Sequence, residues 1–146
     1  MADTGNGATL TLSATGAVGN IRNLGEIAKE LGKLEISHLG TVGNKRYMPD
    51  DLAEPGTLEI EVEFDPSAAL PAVGAVETAT VTYPAPAGVA YPANHAGSGF
   101  LTKVSTPQLA NGTVQVGKLT FSFDGNTGPT FTKSSASTTT STTTTT

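Results

Sequence analysis

Between Leu58 and Phe64 every second residue is apolar, Leu58, Ile60, Val62 and Phe64, and the three residues between them are Glu59, Glu61 and Glu63. Only a strand, with its period of two, sets four such side chains on one face; a helix would scatter them around its axis. The stretch therefore reads as a β-strand with one buried face and a column of carboxylates on the other. A short apolar strand carrying Ile36 and His38 precedes it. Between Leu39 and Pro55 lie about sixteen residues broken by Gly and Pro. Loops of that length are uncommon in compact domains and are usually functional or disordered. This one is expected to reach another molecule.

The rest of the chain repeats the period-two signal. Ala8 to Ala14 alternates Leu10 and Leu12 with Thr9, Thr11 and Ser13, and Val76 to Tyr83 is a β-branched run that stops at Pro84. Strands are also expected over Leu34 to Gly40, Thr57 to Phe64, Gly99 to Thr106 and Thr113 to Asp124. The last two are joined through Asn111-Gly112, the dipeptide that suits a type I′ turn. Pro84 to Asn94 reads as an extended connection. Helical signals are few. Leu24, Ile27, Ala28 and Leu31 fall at helical spacing within Asn23 to Lys33, with Gly32 as a C-cap, and Asp65-Pro66-Ser67 has the form of a helix start cut short by Pro71 and Gly74. The expected fold is all-β with a short helix: a sandwich or barrel of about six or more strands with a long inter-strand loop and mobile termini. Residues 1–7 form an N-terminal arm, 8–132 the domain, and 133–146 a Ser/Thr-rich tail with too little apolar surface to offset its ordering entropy.

Composition narrows the function. A chain of 146 residues closes one core, and 17 Gly, 9 Pro and only 14% charged residues fit a turn-rich β protein. The net charge is −5, with no basic cluster beyond Lys45-Arg46, so the positive footprint that nucleic-acid binding requires is missing. The same acidity suits a wall past which DNA slides without sticking. With no cysteine, thiolate metal sites and disulfides are excluded. The first residues lack the basic and apolar segments of a signal peptide, and no apolar run reaches membrane-spanning length, so the expected location is the cytoplasm of the producing cell.

Catalytic constellations are equally thin. His38 and His95 are the only bases that titrate near neutrality, and in a strand Ser37 and His38 point to opposite faces, which removes a nucleophile-base pair. Two histidines distant in sequence are a poor start for a metal site. Neighbouring glutamates on one strand lie on the same side of anything they face, whereas a glycosidase sets its carboxyls across a sugar from one another. Asp50-Asp51 with Glu54, and Asp124-Gly125-Asn126, lack the spacing of a calcium loop and read as turn chemistry. Asn111-Gly112-Thr113 matches a glycosylation sequon but is read as a turn. No nucleotide, protease or hydrolase motif is present, and no cofactor or metal is expected. A sugar-binding β-sandwich is disfavoured by the absence of Trp and the few Tyr.

Three stretches together carry a resemblance. Ile36-Ser37-His38-Leu39-Gly40 is followed by Lys45-Arg46-Tyr47-Met48-Pro49 and then by Pro55 to Pro66. Gly99 to Thr106, Gly117 to Gly125 and Gly128-Pro129-Thr130-Phe131 follow in order. In this order and spacing the chain resembles the tail tube (major tail) proteins of long-tailed, non-contractile bacteriophages, over most of residues 8–132. The resemblance implies a β-sandwich with a flanking helix, six copies per ring, and rings stacked into a virion tube through which DNA leaves. Its partners would be further copies of itself, tape-measure and tail-assembly proteins, with DNA passing unbound and no membrane contact; before assembly it would lie in the host cytoplasm. The tube proteins of contractile tails and type VI secretion share that fold, so a contractile-type tube is the alternative. Within this frame the long loop, with Tyr47, Met48 and Pro49 as anchors among Lys45, Arg46, Asp50 and Asp51, is expected to contact a neighbouring subunit, and Glu59, Glu61 and Glu63 are expected to face the lumen.

Overall fold

The alternation at Leu58 is realised as a strand, with Leu58 and Ile60 fully buried and the glutamates turned away from the core. The computed structural model describes residues 5–85 and 89–136. They form ten strands: β1 (Thr9–Leu12), β2 (Gly16–Ala17), β3 (Ile21–Leu24), β4 (Glu30–Glu35), β5 (Tyr47–Glu54), β6 (Thr57–Glu63), β7 (Val76–Thr82), β8 (Asn94–Ser105), β9 (Val116–Phe123) and β10 (Thr130–Thr132). Eight build one antiparallel sheet in the order β2-β1-β7-β8-β9-β6-β3, with β10 beside β8, while β4 and β5 pair only with each other. Leu10 and Leu12 on β1 join Leu58 and Ile60 on β6 in a single core cluster although several strands separate them. The sheet therefore curls around its own inner face as a half-barrel, and Phe121 and Phe123 fill the interior edge to face at 5.3 Å.

Two glycines make that interior possible. Gly97 and Gly99 lie on the inner face of β8, and a side chain on Gly99 would run into the Ser122 carbonyl and the Phe121 ring. Polar atoms inside are satisfied. Glu77 is the one charged residue in the core among the described residues, 5% exposed, and its carboxylate accepts hydrogen bonds from the Ala14 and Thr15 amides at 3.1 and 3.2 Å and from the Thr15 hydroxyl. It ties β7 to the turn between β1 and β2.

The all-β class is the expected one, but no helix occurs among the described residues. Asn23 to Lys33 instead contributes the end of β3, an extended link and the start of β4. Leu24 and Ile27 pack against the core, whereas Leu31 stands 55% exposed. Leu24, Ile27, Ala28 and Leu31 are thus not buried together as one helical face, and a helix this short depends on such burial. Asp65-Pro66-Ser67 stops at a single turn, with the Ser67 amide and hydroxyl donating to Asp65 Oδ1 at 2.9 and 2.6 Å. Asn111-Gly112 is not a type I′ hairpin turn. Gly112 has φ +78° but Asn111 does not have a positive φ, and β8 and β9 are separated by residues 106–115. Of the expected arm and tail, residues 1–4 and 137–146 lie outside the described residues; Ser135 pairs with Tyr91 in an isolated bridge.

Candidate assembly surfaces

The long loop is not a loop. Strand β5 occupies its second half and returns along β4, with Leu34 opposite Met48, Lys33 opposite Pro49 and Glu35 opposite Tyr47. The strand expected over Leu34 to Gly40 thus begins and ends earlier, at Glu30–Glu35, and His38 lies beyond it in the connecting tip, its Nδ1 accepting from the Gly40 amide at 3.1 Å. The turn is sharper than the strand reading of Ser37 and His38 assumed: the Ser37 hydroxyl accepts from the Arg46 amide at 2.8 Å, and the Ile36 amide donates to the Arg46 carbonyl at 3.0 Å.

Neither arm of the hairpin packs appreciably on any strand of the sheet. Because opposed residues of an antiparallel pair share a face, Leu34, Met48 and Ile36 form one apolar face, each between 41% and 48% exposed. The other face holds Lys33 over the Tyr47 ring at 4.5 Å and Lys45 beside Glu35 at 3.7 Å. Asp50 is half-buried against Gly32, where the register slips, and Asp51 is exposed. At the tip, Leu39 and Val42 stand 108% and 91% exposed. All seven residues expected at a subunit contact, Lys45 to Asp51, therefore lie on one protruding element. The other arm and the tip supply Leu31, Leu34, Leu39 and Val42, which sequence reasoning missed; a second apolar stretch across Gly40 and Gly43 from Tyr47-Met48 was the available signal.

The hairpin joins the sheet through a narrow neck. The Gly25 amide donates to the Glu59 carbonyl at 2.7 Å, and Gly56, at φ +89°, lies so close to the Ala28 carbonyl that a Cβ there would overlap it. Glycine alone accepts that backbone conformation at little cost.

Glu59, Glu61 and Glu63 lie on the sheet face away from the core, but they are not a bare acidic column. Lys118 on β9 approaches Glu61 at 3.4 Å, and Arg22 on β3 approaches Glu63 at 3.5 Å, with Asn20 Nδ2 donating to Glu63 at 3.0 Å. Glu59 has no basic partner among the described residues. It faces Thr120 across the β6–β9 pair.

The remaining titratable groups are structural in their surroundings. His95 lies on the inner face of β8 near the end of the sheet, its ring edge-on to Phe131 at 6.1 Å, and partial burial lowers its pKa. Asp124 accepts from the Ser98 hydroxyl at 2.6 Å and from the Asn126 amide at 2.8 Å, and these bonds, the Ser98 one first, hold its carboxyl below the usual carboxylate range. No group of three His, Asp or Glu suited to a metal ion occurs among the described residues.

In fold, the chain is similar to a chain in the cryo-EM structure of an extracellular contractile injection system, the PVC sheath/tube terminator in extended state. The TM-score is 0.67 at 14% identity, over 85% of this chain and 94% of that one. The likeness is one of fold, and it falls on a component of a contractile system rather than on the non-contractile tube that the sequence resembles. No protein-family model and no curated protein matches the chain.

Proposed function

We propose that this protein is a non-catalytic structural subunit that works by self-association, forming rings that stack into the tube of a contractile, phage-tail-like particle. The observation that carries this reading is the β4–β5 hairpin. A two-stranded hairpin is marginal alone in water, and this one leaves Leu31, Leu34, Ile36, Leu39, Val42, Met48 and Leu52 at least 41% exposed. Apolar side chains left bare in this number on one element mark a protein contact. The fold likeness to a contractile-system component supports the contractile type. A non-contractile phage tail tube that conveys DNA is the second reading, favoured by the order of the sequence stretches over residues 36–66 and 99–131.

Six copies per ring follow from either reading. Glu59, Glu61 and Glu63 are then the channel wall, where like charge keeps a polyanion from adhering. Assembly partners would be further tail components, and the finished location an extracellular particle. Negative-stain microscopy and sedimentation of the purified chain test this directly: rings or tubes are expected, and a strict monomer at high concentration would overturn it. Deletion of residues 43–52, which removes most of β5, should leave the sheet folded and abolish the assemblies; tubes that still form would remove the hairpin from the contact.

A further inference from the structure

Among the described residues, the exposed large apolar side chains gather toward the two ends of the half-barrel. At the end where β6 begins are the hairpin residues, with Tyr83, Tyr91 and Phe131 nearby; at the end where β6 finishes are Leu70, Val73, Val76, Leu109 and Val114. The second end also carries a groove of about 260 Å³ between the strand ends and the segment after β6, with Val18, Val62, Phe64, Leu70 and Val104 among its walls. Strand β6 spans the distance between hairpin neck and groove, roughly 20 Å at about 3.3 Å per residue.

The hairpin tip and the groove segment are complementary in charge as well as in apolar character. The tip, Ile36 to Arg46, carries Lys45 and Arg46 and no carboxylate, while Glu61 to Pro71 carries Glu61, Glu63 and Asp65 and no cation. Arg46 makes no ion pair among the described residues, and no Lys or Arg lines the groove.

We propose that the hairpin tip of one copy seats in the groove between β6 and the Asp65 to Pro71 segment of the next, with Leu39 and Val42 against the apolar walls and Arg46 facing Asp65. The contact joins two different surfaces, so it is not self-complementary and copies add head to tail along the strand direction. The serine bonds to Asp65 suit this role, because they favour its ionised form. The inference rests on the self-associating function proposed above and specifies the partner surface.

The chain has no native cysteine, which makes disulfide trapping clean. Val42 and Ala69 are both exposed, so Val42→Cys and Ala69→Cys should leave the fold intact. Under mild oxidation the double variant is expected to give a ladder of linked chains on a non-reducing gel, and each single variant only monomer. Tubes or rings without a ladder would overturn this docking while leaving the self-association standing, and Val42→Cys linking to itself would replace it with tip-to-tip pairing. A strict monomer would sink both. As a second measurement, Asp65→Lys should raise the concentration for half-assembly roughly three- to fivefold, the scale of an exposed ion pair, and adding Arg46→Asp should restore it. Failure of the restoration counts against the Arg46–Asp65 pairing.

Discussion

Glu77 shows how far a single residue can depart from its strand's pattern. It shares the inner face of β7 with Ala79 and Val81, and it is tolerated there because two amides and a hydroxyl donate to its carboxylate. Glu77→Leu should cost about 1–3 kcal/mol in equilibrium unfolding, since it leaves the Ala14 and Thr15 amides without partners in a partly buried turn. An unchanged midpoint would mean those amides find water. Asp124 makes a different prediction. The bonds from Ser98 and Asn126 hold its folded pKa below that of a free carboxylate, so its contribution to stability is present above the free value and lost as the pH falls through the folded one. Asp124→Asn should therefore lower the melting temperature at pH 7, with the gap narrowing under acid; a gap of constant size down to pH 2 would refute the assignment.

At the scale of elements, the hairpin depends on its neck. Gly56→Ala forces a side chain into the left-handed region, which costs roughly 1–2 kcal/mol, and also onto the Ala28 carbonyl. The expected result is local: faster proteolysis between Glu30 and Glu54 with the sheet still cooperative, because β4 and β5 lend the sheet almost no contact. Loss of the whole fold would show that the hairpin is integral to it. The same independence explains why this element was the least legible in the sequence. Its strands bury nothing within one chain, so neither shows the alternation that made β6, β7 and β9 readable, and Leu24 to Leu31 could imitate a helical face.

For the whole molecule, the placement of charge and apolar surface matters more than any one contact. Polar residues cover the sides of the half-barrel, and exposed apolar residues gather at its two ends, as suits a unit that stacks. Exchanging Glu59 and Glu61 for Lys breaks one exposed ion pair worth at most about 1 kcal/mol and leaves the groove residues Glu63 and Asp65 in place, so assembly should survive. Tubes of that variant should retain nucleic acid through purification while the wild type does not, read from their ultraviolet absorbance ratio. Equal retention would place these residues off the channel.

Local pattern was enough for the all-β class, the buried face of β6 and the outward glutamates, because alternation reports directly which side chains leave water. Tertiary structure alone decided that the long loop is a paired hairpin, that the expected helix is strand and link, that Glu77 belongs inside, and that Lys118 and Arg22 offset two of the glutamates. Each of those depends on a residue distant in sequence, such as Thr15 for Glu77 or Lys118 for Glu61. No local period encodes such a neighbour.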